Sequence, residues 1–144
     1  MKERVCQIDI PPKLMSEYYQ KLDIDIDELT IEEPDIDLPG ICVIDSGILP
    51  GHQLIENALV DYDKFREDLE DGIDENGHGT FVSGIALYGD IEKCIEDEKF
   101  IPRARLFSGR VTDENSDLGP DDKLYIKQIR NAILHFYENY NCRI

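Results

Sequence analysis

The segment Gly40-Ile41-Cys42-Val43-Ile44-Asp45-Ser46-Gly47 constrains the fold more than any other stretch of the chain. Ile41 to Ile44 are all apolar and mostly β-branched, so the run predicts a strand covered on both faces, the usual setting of a parallel sheet. The strand stops abruptly at a carboxylate and a glycine turn. In open α/β sheets functional groups gather at the C-terminal ends of strands, which puts Asp45 where chemistry is expected. Parallel neighbours need crossover connections, and strand and helix alternate along the rest of the sequence. Residues 59–63 read as a strand, residues 101–111 contain another, and residues 142–144 would begin a further one. Helices are predicted after His78 and after Gly119-Pro120. The predicted fold class is α/β, a parallel sheet with flanking helices.

The second informative stretch is Asp74-Glu75-Asn76-Gly77-His78-Gly79-Thr80-Phe81-Val82-Ser83-Gly84. A single histidine lies between two glycines, where a polar turn gives way to the small and apolar run Phe81, Val82, Ile85 and Ala86. A helix N-terminus offers free N–H groups, and glycines let other backbone approach closely. An imidazole held there is exposed yet fixed in direction, and its ordinary pKa near 6.5 suits a general base around neutral pH. Asp45 needs a hydrogen-bond donor to be tolerated so close to the sheet. A histidine N–H would supply it and would itself gain a fixed tautomer and orientation.

Asp45-Ser46-Gly47, then His52, then Asn76-Gly77-His78-Gly79-Thr80-Phe81-Val82-Ser83-Gly84 resemble the subtilisin-like serine proteases. That resemblance implies a triad in the chain order Asp, His, Ser, with Asp45 orienting His78 and His78 acting as general base. It implies a serine endopeptidase acting on extended peptide or protein substrates. Ile101-Pro102-Arg103-Ala104-Arg105-Leu106 is similar to the family's Pro-x-Ala-x-Leu strand, beyond which the backbone helps hold a peptide. Ser108, Gly109 and Arg110 are therefore expected near the substrate cleft. His52 also has a family counterpart, a structural residue near the Asp loop. In the family the nucleophile lies far downstream in a Gly-Thr-Ser-Met-Ala-like turn, and an asparagine between His and Ser helps form the oxyanion hole. None of Ser16, Ser46, Ser83, Ser108 and Ser116 has that setting.

The sequence accordingly reads as an N-terminal acidic arm, residues 1–38, followed by the truncated N-terminal half of a subtilisin-like catalytic domain, residues 39–144. Its missing partner would be the C-terminal half, and the fragment alone is expected to be inactive. The strand at Asp45 should be central in the complete sheet, between the strand near Leu106 and one beginning around Cys142. A half domain would leave it an open edge, which predicts self-association. The alternative reading is a non-catalytic subtilase-like binding module, because a base and its orienter without a nucleophile form no acyl-enzyme. A metal hydrolase using Asp45, His78 and Asp74 fits the Gly-His-Gly-Thr context less well.

Composition narrows the partners. The formal charge of −17 and a pI near 4.3 argue against nucleic acid and anionic membrane surfaces, both of which would repel the chain. No apolar run approaches the ~20 residues of a membrane span, and Met1-Lys2-Glu3-Arg4 leads into no apolar signal core; a cytoplasmic address is favoured. The 4 cysteines, Cys6, Cys42, Cys94 and Cys142, form no close pair, so they read as reduced thiols and not as zinc ligands. From Asp23 to Asp37 the arm is acid-rich and free of bases, with isoleucines that would dock on the domain at intervals. It lacks the D-x-D-x-D-G pattern of a calcium loop. No cofactor and no metal are implied for this chain, while the resemblance leaves calcium open for a complete protein. Residues 64–75 read as a solvated surface loop, and His135 as a packing or surface histidine on the last helix.

Overall fold

The computed structural model describes residues 29–113, 115 and 122–140. The sequence also suggests a short strand over residues 5–10 and a helix from Pro12; both, like the strand expected to begin at Cys142, lie outside the described residues. The described elements are β1 (Thr30–Ile31), β2 (Gly40–Asp45), β3 (Leu59–Lys64), α1 (His78–Tyr88), α2 (Ile91–Glu96), β4 (Lys99–Phe100), β5 (Arg105–Arg110) and α3 (Asp122–Tyr140).

The main sheet is parallel, in the order β2-β5-β3. β5 is central, paired with β2 from Gly40↔Arg105 to Asp45↔Arg110 and with β3 from Leu59↔Leu106 to Lys64↔Arg110. β2 has β5 on one side, as expected; on its other side no strand is found among the described residues. β1 and β4 form a second, two-stranded parallel pair.

Successive strand residues point to opposite faces, and β5 shows why both faces must be covered. Leu106 joins a buried cluster with Val43, Ile48, Ile55, Ala58, Leu87, Tyr88 and Phe100. The next residue, Phe107, packs on the opposite face against Phe136 of α3, with Cys42 and Phe65 alongside. Burial of each such side chain contributes about 1.5–3 kcal/mol. Helix α1 lies on the first face and α3 on the second, giving three layers.

α1 meets the sheet through Gly79, Ser83, Leu87 and Tyr88, its buried residues. The first three recur every four positions, so small side chains at one end let the helix axis come close. Phe81 and Ile85, read from sequence as part of the apolar run, instead face outward and are 66% and 43% exposed. The helix ends at Gly89, whose N–H bonds Ile85 O and whose φ of 73° is one that glycine adopts without strain. On α3, Ala132 and Phe136 are buried, and Phe65 meets Phe136 edge-on at 5.7 Å. His135 packs in the same group, 5.5 Å from the Phe65 ring, with Nε2 3.7 Å from the Asp61 carboxylate. Tyr140 lies four positions after Phe136, a spacing that reads as the same core face, yet it is 40% exposed and donates its hydroxyl to Asp61 at 2.8 Å.

Two segments are more ordered than their sequences suggest. Residues 90–100, a largely charged stretch whose sequence suggests an irregular surface segment, contain α2, whose start is capped by the Asp90 side chain accepting from Lys93 N–H, and then β4. Residues 64–75 are not uniformly solvated, because Arg66, Leu69 and Asp74 are buried. In the acidic arm Leu29 and Ile31 do dock on the core cluster, whereas Ile36 remains 79% exposed. Among the described residues no helix is long and apolar enough to cross a membrane.

Candidate active site

Asp45 is the last residue of β2 and His78 the first of α1. The fold brings them together: His78 Nδ1 lies 2.6 Å from Asp45 Oδ1. The same carboxylate oxygen accepts the Ser46 N–H at 2.8 Å, which fixes its direction. With Asp45 ionised, Nδ1 carries the proton and donates, leaving Nε2 as the free basic nitrogen. The hydrogen bond that His78 donates to Asp45, and the negative charge of that carboxylate, hold the His78 pKa above the ordinary value of 6.5, against the opposing effect of desolvation, with a further small contribution from the Asp74 charge. The His78 side chain is 60% exposed, so Nε2 faces outward.

Backbone close approach brings the two residues into register. A Cβ on Gly79 would lie 2.2 Å from the Gly47 carbonyl oxygen, so α1 rests directly on the turn after Asp45. Gly47 itself has φ +105° and takes the Gly72 carbonyl where a side chain would be. The loop before α1 is tied to that turn by Ile48 N–H to Gly72 O and Asp74 N–H to Ile48 O.

The first N–H groups of α1 have no partners within the helix, and Gly77 has no side chain to cap them. Three neighbouring side chains do so instead. Asn76 Oδ1 accepts from His78 N–H at 2.9 Å, Ser46 Oγ from Gly79 N–H at 2.9 Å, and Asp74 Oδ2 from Thr80 N–H at 2.8 Å. Asp74 also accepts the Thr80 hydroxyl at 2.6 Å, Gly77 N–H at 2.9 Å and the Ser46 hydroxyl at 3.0 Å. Burial pushes the Asp74 pKa up, but these bonds from Thr80, Ser46 and Gly77 outweigh it and leave the group below its ordinary value.

Arg110 is almost fully buried at the end of β5 and reaches into the same loop. Its Nη1 donates to Ile73 O at 2.6 Å and to Glu75 Oε1 at 3.3 Å, and lies 3.5 Å from Asp71 Oδ1. Ser108 is buried too, and Gly109 faces the Phe65 ring and Ala132, where a Cβ would approach to 3.2 Å and 3.3 Å. Of the three residues anticipated near the cleft, Ser108 and Arg110 thus have buried side chains, and Gly109 is buried between them. His52 is exposed on its turn, with Nδ1 accepting from Leu54 N–H at 3.3 Å.

Sequence reasoning missed the parts played by Ser46, Asn76, Thr80 and Asp74 in seating the helix. A signal was present: Asp and Asn just ahead of a helix are capping residues. Arg110 was also detectable as a charge at the C-terminal end of β5, the end of a parallel strand where functional groups gather. Among the described residues no group of three His, Cys, Asp or Glu side chains could hold a metal ion. Asp74, the third ligand of the metal-hydrolase reading, has both oxygens occupied by donors of its own chain.

The family model of the subtilases matches residues 39–144, which include both strands and the helix that make this site. The chain belongs to the subtilase family. No individual curated protein matches it.

Proposed function

We propose that this subtilase supplies the general base and its orienting carboxylate for serine-dependent hydrolysis of peptide bonds, with the nucleophilic serine contributed by a segment other than the residues described. The observation that carries this reading is the 2.6 Å contact between His78 Nδ1 and Asp45, with the opposite side of the ring open. In the proposed reaction Nε2 of His78 takes the proton as a serine oxygen attacks the peptide carbonyl carbon, and Asp45 stabilises the imidazolium. His78 then returns that proton to the departing amine, and water, activated in the same way, hydrolyses the acyl-enzyme. Ser46, Ser83 and Ser108, the serines whose side chains are described, are each buried and so are not candidates for the nucleophile.

An extended peptide would run past the end of β5. Because Ser108, Gly109 and Arg110 are buried, their part in the proposal is to fix the segment that follows and the Asp71–Glu75 loop. A non-catalytic binding module remains the competing reading, favoured by the want of a described serine within reach of His78. The two separate in labelling with a serine-directed fluorophosphonate. The 144-residue chain alone should not label or hydrolyse peptides, whereas a protein that also carries the nucleophile segment should label, and His78→Ala should abolish it. Failure of that longer protein to label would favour the binding module; labelling of the short chain, lost in His78→Ala, would overturn the assignment of the nucleophile.

A further inference from the structure

We infer that Asp74 is a positioning residue for His78: it clamps the first turn of α1 to the turn after Asp45, and so sets the direction of the imidazole. The inference rests on the reading of His78 as general base and Asp45 as its orienter, and it adds a residue that touches neither the ring nor the substrate.

The argument begins with burial. A carboxylate with 6% of its surface exposed is costly unless its lone pairs are used. Asp74 uses both oxygens, and every strong donor belongs to one of two groups. Gly77 N–H, Thr80 N–H and the Thr80 hydroxyl belong to the N-terminus of α1, while the Ser46 hydroxyl belongs to the turn after Asp45. Ser46 Oγ closes the circuit by accepting from Gly79 N–H, the residue next to His78. Thr80 closes a second one, because its hydroxyl oxygen accepts from Leu49 N–H at 3.0 Å. Negative charge at a helix N-terminus is also favoured by the peptide dipoles.

The consequence for His78 is geometric. Its ring reaches Asp45 from a backbone position fixed at Gly77, Gly79 and Thr80, all held by this network. The charge-assisted bond to Asp45 is short, so a displacement of α1 by ~1 Å would carry it out of the ~2.6–3.2 Å range in which such a bond orients the ring. Arg110 supports the arrangement from below, through its bond to the Ile73 carbonyl just before Asp74.

The test uses the 144-residue chain and NMR of the His78 ring, so that it does not depend on activity. Asp74→Asn keeps the shape but cannot accept all of these donors. Ser46→Ala and Thr80→Val each remove a hydroxyl that donates to Asp74 and accepts a backbone N–H, without changing charge, which separates positioning from the direct field of Asp74. Asp45→Asn serves as the reference for a lost pair. In all three network variants the His78 titration midpoint should move down towards that of Asp45→Asn, and the downfield Nδ1–H resonance should weaken or disappear. If Asp74→Asn fails to fold, the two neutral variants carry the test. Variants that lose thermal stability but keep the wild-type midpoint and resonance would show that Asp74 is structural only, and would overturn the inference. If Asp45→Asn itself leaves the midpoint unmoved, the pairing of His78 with Asp45 is what fails.

Discussion

Gly79→Ala tests how closely α1 rides on the turn after Asp45. The added Cβ would lie 2.2 Å from Gly47 O, 3.1 Å from Gly47 N and 3.2 Å from Gly47 C. An ordinary carbon–oxygen contact needs ~3.3 Å or more, so about 1 Å must be found. Gly47 cannot yield it, since its φ of +105° is already committed and a Cβ built there would be 2.5 Å from Gly72 O. The helix must therefore lift away from the sheet. In its favour the substitution gains the helix propensity of alanine over glycine, ~0.8–1 kcal/mol. Against it stand overpacking at ~1–3 kcal/mol or more and the weakened Gly79–Ser46 bond at ~1 kcal/mol. The overlap wins, and a net loss of about 1–3 kcal/mol is expected in urea denaturation, with the His78 titration midpoint shifted down. Gly84→Ala, on the same helix with nothing within 4 Å of its Cβ, is the internal control. It should be neutral or stabilising by up to ~1 kcal/mol. If both variants move stability in the same direction, or if Gly79→Ala leaves the His78 midpoint unchanged, the close approach is not what positions the histidine.

Asp45→Asn should remove a pH-dependent share of stability. The folded pKa of His78 lies above 6.5, so the pair's contribution is complete below about that pH and is lost as pH rises through the raised value. The stability difference between wild type and Asp45→Asn should accordingly shrink across that window in denaturation at stepped pH; a constant difference refutes the linkage. Phe136→Ala empties the contact with Phe107 and Phe65 under α3 and should cost about 3–5 kcal/mol by urea denaturation, a loss under ~1 kcal/mol meaning that α3 does not seal that face. For self-association we propose pairing through the side of β2 that carries no strand among the described residues, opposed by the charge of −17 and so stronger at high salt. Sedimentation equilibrium at low and high ionic strength should show it, and a stable monomer at both would refute it.

The parts legible in the sequence were those governed by local pattern. The apolar run ending at Asp45 gave its strand because a strand buried on both faces has no polar alternation to hide it, and His78 began its helix where glycine and polar residues end and small apolar ones start. Their meeting could be proposed because a carboxylate at a strand end needs a donor. What local pattern could not show is which way a helix turns once tertiary contacts compete. Phe81 and Ile85 are more hydrophobic than Gly79 and Ser83, yet the smaller pair faces the sheet, since only small residues let the helix backbone come within reach of Gly47. The acidic run before α1 misled in the same way: its composition is that of a solvated loop, but Asp74 is drawn inside by donors from Ser46 and Thr80 that are distant from it or across a turn. A buried charge is legible only when its partners are known, and those partners are set by the approach of two backbones. The glycines at 47 and 79, which carry no side-chain chemistry, are therefore the residues on which the position of the histidine depends.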